Sequence, residues 1–594
     1  MKSKKLSLLV YFLTVYVFSY FALLASGDSR TTVDALDNES DSCFLQVPSV
    51  TAKFIRKSAN LFTIFRRNEH QTSCDNGNQQ HIIKTSIGNV QGINLERDVA
   101  RFTLPYAKPP VGKNRRFRDP VPIRNLERSL YNATILPPPC PQSYSNGTFV
   151  PLSSEDCLYL NVKATKNSNL PVFLWIHGGS LLTGASTSPG LDGSNYAKNS
   201  LVSVIIQYRL GLLGFLYNED LDIQGNMGFK DIIVALEFVK ENIRSFGGNP
   251  NLITLGGQSS GAMLTQALLS SPPATTLFSH AIMLSSPANY GFHSRNTSAT
   301  LGAMALEEMG CATHGIDCVL SQDTTQIQAV QNTLVATAPQ TMPQIADAMP
   351  ILPYVDGELI LGLDGKNAHV QRHVLMTSAK DDAGTIIGSL FTTPLPMSSL
   401  ASVLESFLGS SRAQMVINSG VYNISDIGGD KDARDLLTRI GTDYIWRCPV
   451  QQFAANWTME LGANIWLAQF DEGIPYDTNV DIAFCLDKVC HQDDIYPTFH
   501  SGTEPLTSDK ISLENQVFSR WVSFIKTGDP NPEFGLYTRW PKVKSPNDIN
   551  LLKLNGDKND RNQDIVSELE YNACGAGKLW GNDAPYDFML YPST

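Results

Sequence analysis

From Ile87 onward, short runs of apolar, β-branched and aromatic residues alternate with longer stretches whose apolar positions recur at helical spacing. This is the signature of a largely parallel sheet covered by helices. Strands are predicted at Pro171–Ile176 (PVFLWI), Leu201–Gln207 (LVSVIIQ), Leu252–Leu255 (LITL), Ala281–Leu284 (AIML), His373–Ser378 (HVLMTS) and Asn464–Phe470 (NIWLAQF). Most of these runs do not alternate apolar with polar, so they are expected to be buried on both faces. The clearest helix is Lys230–Arg244, where Ile232, Ala235, Leu236, Val239 and Ile243 form one apolar stripe and Gly247-Gly248-Asn249-Pro250 stops it. It leads into LITL, a glycine- and serine-rich corner, and a second helix over about Ser260–Leu269.

That corner, Gly257-Gln258-Ser259-Ser260-Gly261, has the form Gly-x-Ser-x-Gly. The five residues alone also fit a surface turn, because so short a motif recurs by chance. Between a strand and a helix they acquire a purpose. A strained turn there projects the central serine above the sheet, and glycines on either side let strand and helix approach closely. A serine hydroxyl is a poor nucleophile at neutral pH and needs a base, an orienting carboxylate and donors for an oxyanion. LWIHGGSLLTG lies upstream, directly after a strand. LMTSAKDDAG, with the acidic pair Asp381-Asp382, and KVCHQDDIYPTF, with His491, follow downstream. Ser, Asp and His in that chain order suit such a corner.

Composition narrows the class. The 594-residue chain is 42% hydrophobic but only 17% charged, with a formal net charge of −11. That charge argues against nucleic acid as a partner, since phosphate binding needs a concentrated basic surface. Lys2, Lys4 and Lys5 precede an apolar run that ends near Ala25-Ser26-Gly27, which reads as a secretory signal over residues 1–27. An uncleaved anchor is the competing reading, because Leu6–Leu24 is nearly long enough to span a bilayer. No later segment has transmembrane character, so no stable span is expected after cleavage. Residues 28–80 are polar around one basic apolar patch, KFIRKSANLFTIFRR, and carry no recognisable chemistry. Sequons at Asn38, Asn132, Asn146, Asn296, Asn423 and Asn456 fit secretion, and ten cysteines fit an oxidising compartment. None of the cysteines forms the Cys-x-x-Cys pair of a zinc site. Cys311 and Cys318, like Cys485 and Cys490, are close enough in sequence to close small loops or to remain buried thiols.

Five further segments make the chain resemble the type-B carboxylesterase/lipase family: RFTLPYAKPPVGKNRRF, SEDCLYLNV, QYRLGLLGFL, GNMGFKDIIVALEFVKENIRSFGGNP and FIKTGDPNP. They occur in family order and carry the resemblance over roughly residues 85 to 590. It implies an α/β-hydrolase fold, a large, mostly parallel, twisted sheet flanked by helices, occupying residues 81–594. It also implies hydrolysis of a carboxylic ester through an acyl-enzyme, with Ser259 as nucleophile, His491 as base and Asp382 as its acid. The N–H groups of Gly179, Ser180 and Ser260 would form the oxyanion hole. No metal or organic cofactor is implied, and the partner is a small-molecule or lipid ester. The resemblance further suggests the disulfides Cys140–Cys157, Cys311–Cys318 and Cys448–Cys574, with Cys485–Cys490 bracing the loop of His491. Cys43 and Cys74 are left over.

The chain departs from the family pattern at three positions. Gln258 stands where most relatives carry Glu, Ser180 replaces the third glycine of the oxyanion loop, and Asp382 replaces the commoner Glu. Asp381 is the rival to Asp382 as the acid. His177 is expected to order the oxyanion loop, and His500 to lie apart from the chemistry. The same fold includes adhesion proteins that have lost the nucleophile, and lipases that work at a lipid surface. The joint presence of Ser259, Asp382 and His491 favours catalysis over adhesion. The Cys140 to Cys157 loop has no Trp to hold a quaternary ammonium, so a general carboxylesterase is expected and not a choline esterase.

Overall fold

The computed structural model describes residues 81–580 apart from 97, 145–146, 289, 343–348, 363–371, 423–431, 504, 534–536, 546–547, 557–564, 568–572 and 575–577. The leader at residues 1–27, the segment 28–80, Cys43, Cys74 and the sequons at Asn38, Asn146 and Asn423 lie outside the described residues.

The sheet runs through β1 (His81–Thr85), β2 (Gly88–Asn94), β3 (Ala100–Pro105), β4 (Tyr159–Ala164), β5 (Leu170–Ile176) and β6 (Val202–Ile206). It continues through β7 (Gly248–Gln258), β8 (His280–Leu284), β9 (His373–Ala379), β10 (Ile465–Phe470), β11 (Asn550–Leu554) and β12 (Ile565–Ser567). The spatial order is β1-β2-β3-β4-β6-β5-β7-β8-β9-β10-β11-β12, with a short strand at Tyr131–Asn132 alongside β2. From β6 to β11 every neighbour is parallel, and antiparallel strands close both ends. All six predicted strands are present. β7 is longer than LITL, because Gly248 already pairs with Leu170 before a register shift carries the pairing on to Ile253.

The missing alternation has a direct cause: successive residues of each central strand enter two different cores. Val172, Leu174 and Ile176 face one, and Phe173 and Trp175 the other. β8 divides the same way, with Ala281 and Met283 against Ile282 and Leu284, and so does β10, with Ile465 and Leu467 against Trp466, Ala468 and Phe470. One core is covered by α1 (Met227–Asn242), which sets Ile232, Ala235, Leu236 and Val239 on the sheet, and by α2 (Ser260–Ser270), buried along its whole length. The other is covered by α4 (Ser508–Thr527) through Leu513, Val517, Trp521 and Phe524. A third cluster joins α3 (Gly384–Leu390) to the helices Leu400–Asn418 and Ala433–Thr442. All four suggested disulfides, Cys140–Cys157, Cys311–Cys318, Cys448–Cys574 and Cys485–Cys490, are present. Asn132 and Asn296 are exposed, whereas Asn456 is half-buried on the helix Cys448–Leu461. Among the described residues no helix is long and apolar enough to cross a membrane, and no group of His, Cys, Asp or Glu is placed to hold a metal.

Candidate active site

β7 ends at Gln258, α2 begins at Ser260, and Ser259 between them has φ 56 and ψ −128. An L-residue rarely adopts such a backbone, and the neighbouring glycines are what make it attainable. A Cβ on Gly257 would lie 2.4 Å from the Gly261 carbonyl oxygen, and one on Gly261 would lie 2.3 Å from that of Ile176. The turn is held from both sides: Ser259 N–H donates to Leu284 of β8, and the N–H groups of Ala262 and Met263 donate back to the Ser259 carbonyl.

Two loops from the same edge of the sheet meet beside this corner. The loop after β9 supplies Asp382, which is fully buried, and its Oδ1 is 2.8 Å from Nδ1 of His491. Its other oxygen accepts from Ala379 N–H at 2.7 Å, which fixes the carboxylate plane. Asp381 turns elsewhere, its Oδ2 accepting from Val489 N–H at 3.2 Å. The imidazole of His491 therefore has Asp382 and not Asp381 behind it. Its Nε2 is 3.3 Å from the side-chain amide nitrogen of Gln258, the residue just before Ser259. His500 is remote from this group, 3.1 Å from Oδ1 of Asn515.

The loop expected to receive an oxyanion follows β5. Gly179, Ser180 and Leu181 have φ of 111, 56 and 62, three consecutive residues in the left-handed region. Ser180 thus adopts a conformation that suits glycine, at a cost of about 1–2 kcal/mol for an L-residue. Among the described residues the N–H groups of Gly179 and Ser180 donate to no backbone carbonyl. Ser260 opens α2, where no preceding helical carbonyl exists to take its N–H. Its hydroxyl accepts from Leu181 N–H at 3.3 Å and so anchors the loop to the corner. His177 stacks on Tyr208 at 4.6 Å, and the Tyr208 hydroxyl donates to the His177 carbonyl. Burial lowers the His177 pKa to about 4, so its ring is neutral at pH 7. Gln142, inside the Cys140–Cys157 loop, exchanges two hydrogen bonds of 2.9 Å with the backbone of Gly184.

Residues 79–573 match the Carboxylesterase family. The chain belongs to that family. As a member it is a carboxylic ester hydrolase, and several of its relatives are named as esterases. It is 30% identical to para-nitrobenzyl esterase of Bacillus subtilis over 77% of this chain and 92% of that protein. It is 28% identical to Carboxylesterase 1D of Mus musculus over 78% of this chain and 87% of that one. The cAMP-regulated D2 protein of Dictyostelium discoideum is 29% identical over 79% of this chain and 88% of its own length. A solved PNB esterase superposes with a TM-score of 0.67 at 27% identity, covering 83% of this chain and 98% of that one.

Sequence reasoning did not single out several groups that shape the site of this carboxylesterase. Asp494 is fully buried; burial first, then the nearby Asp382, raise its pKa to about 7, while His491 opposes the rise. The hydroxyl of Ser285 donates to it at 3.0 Å. Burial also raises Asp493 to about 6, although this carboxylate accepts from Tyr476 N–H, Cys490 N–H and the Asn479 amide. Asn479 in turn donates to the His491 carbonyl at 2.7 Å. Trp446, in the π-helical turn Asp443–Arg447, sets its ring 5.3 Å from that of His491. Arg372 is buried at the far end of α2, donating to the carbonyls of Leu269, Ala274, Thr275 and Phe278 and securing the helix that begins beside Ser259. Only the DDI stretch after His491 offered a signal, two adjacent acids in a loop otherwise destined for burial.

Proposed function

We propose that this esterase is a secretory-pathway serine hydrolase that works through an acyl-enzyme, with Ser259 as nucleophile, His491 as general base and Asp382 as the orienting acid. The observation that carries the reading is the 2.8 Å Asp382–His491 pair set against the strained corner that bears Ser259. The Ser259 hydroxyl gives its proton to Nε2 of His491 as its oxygen attacks the ester carbonyl carbon. Asp382, buried and hydrogen-bonded at Nδ1, fixes the tautomer and stabilises the imidazolium. The N–H groups of Gly179, Ser180 and Ser260 receive the oxyanion. Collapse expels the alcohol, which takes the proton from His491, and water activated by the same ring then releases the acid. Four disulfides support an oxidising compartment, with residues 1–27 as the cleaved signal.

Neutral esters are the proposed substrates, with aromatic esters of the kind named for the para-nitrobenzyl relatives as first choice. The first disulfide loop carries no Trp, and Gln258 brings no negative charge to the nucleophile. A fluorophosphonate probe should attach to Ser259, and Ser259→Ala should lose both labelling and ester turnover. Undiminished labelling of that variant overturns the assignment. For the alcohol side, the tert-butyl isostere of acetylcholine should be hydrolysed with a kcat/KM equal to or above that for acetylcholine. A preference of about tenfold for the charged ester would refute the neutral-ester reading.

A further inference from the structure

Gln258 is almost wholly buried, directly precedes Ser259 in the chain, and brings its side-chain amide to His491. With the Nδ1 proton of His491 directed at Asp382, the neutral ring offers one in-plane lone pair, at Nε2. That lone pair receives the Gln258 amide nitrogen at 3.3 Å. It is also the lone pair that must accept the Ser259 proton, and a ring nitrogen cannot fully serve two donors. Among the described residues the other end of the same amide, Oε1, is buried without a hydrogen-bond partner. It points toward Gly178, where a Cβ would lie 3.1 Å from it. A buried carbonyl oxygen left unpaired is costly, so its orphaning calls for an explanation.

Resting on the triad reading above, we propose that Gln258 is a positioning residue that occupies Nε2 of His491 between turnovers and yields it to Ser259 when substrate arrives. Its amide donates to the neutral ring. Once the ring has taken the Ser259 proton, Nε2–H becomes a donor, and the same side chain, turned about its last bond, presents the idle Oε1 as acceptor. Gln is the residue that can do both. A Glu could only accept and would favour the protonated ring throughout, and an apolar side chain would do neither. The other titratable groups around the ring are Asp382 on the loop after β9, and Asp493 and Asp494 on the loop of His491 itself. Substitution at 258 leaves all of them in place.

The test is the pH profile of kcat/KM for p-nitrophenyl acetate in the full chain, wild type against Gln258→Glu and Gln258→Met, with fluorophosphonate labelling run alongside. The midpoint of the acid limb does not depend on how much of a variant is folded. It should lie about one pH unit higher in Gln258→Glu, because a carboxylate beside Nε2 favours the protonated ring, and move by less in Gln258→Met, which removes the donor to the neutral ring and the acceptor for the protonated one together. On the plateau, Gln258→Met should label at least about twice as fast as wild type, its lone pair being free for Ser259. Midpoints unmoved in both variants, with Ser259 still labelled, overturn the role of Gln258 and leave the triad standing. A wild-type Ser259 that does not label overturns the triad and this inference with it.

Discussion

The corner at Ser259 and the loop of His491 are held in place by opposite means. The corner is held by backbone against backbone: Gly257 and Gly261 leave no room for a single methyl group, and the strain at Ser259 is contained by main-chain hydrogen bonds. The loop is held by polar side chains taken out of water, with Asp493 binding Tyr476, Asn479 and Cys490, and Cys485 joined to Cys490 just ahead of His491. A corner of the first kind fails when something is added. A loop of the second kind fails when a partner is removed, or when pH changes what the partner is.

The two failure modes can be separated by substitution. Asp382→Asn should lower kcat by about 10³–10⁴-fold, because the ring loses both its orienting partner and the charge behind the imidazolium. Asp381→Asn, whose carboxylate faces the Val489 backbone, should cost no more than about tenfold; steady-state kinetics with a nitrophenyl ester checks both, and the reverse ranking would transfer the role. Gly261→Ala should destabilise the fold by about 1–3 kcal/mol in a urea titration, since the new methyl group meets the Ile176 carbonyl. An unchanged midpoint would show that the corner has slack that its contacts do not suggest.

The smallest effect belongs to Asp494 and shows as a slope. Its pKa is about 7 in the fold against 3.8 ordinarily, so between those values the native state keeps a proton that the unfolded chain has released. The unfolded state then binds fewer protons, and this group's contribution to stability falls as pH rises through that window. Asp494→Asn keeps an oxygen for Ser285 but cannot titrate. Its Tm relative to wild type should therefore climb by a few degrees between about pH 4 and pH 8, measured by calorimetry, and a constant difference would contradict the burial argument.

The unequal legibility of the two regions in the sequence has the same origin. A corner made of glycines writes itself into adjacent residues, and central strands apolar on both faces write themselves as unbroken runs. Contacts between side chains distant in sequence leave no local trace: Ser285 and Asp494 are 209 positions apart, and Gln258 and His491 are 233. The four disulfides were readable in full only through family resemblance, for spacing alone pairs just the two short ones. A local signal was also passed over. Asp323 and Gln326 form a capping box that opens the helix Thr324–Thr341, a start written in plain Asp-x-x-Gln form. Trp446 and Arg372 could not have been found this way, since a π-helical turn and a buried guanidinium follow no periodicity.

The Cys448–Cys574 bridge closes a span of 126 positions that contains His491. A protease that cuts once anywhere inside that span does not divide the molecule, because both fragments stay tied through sulfur and His491 stays on the same covalent body as Ser259. Such a nick is invisible on a non-reducing gel and separates into two bands once thiol is added. A preparation that looks intact can therefore consist of two-chain enzyme.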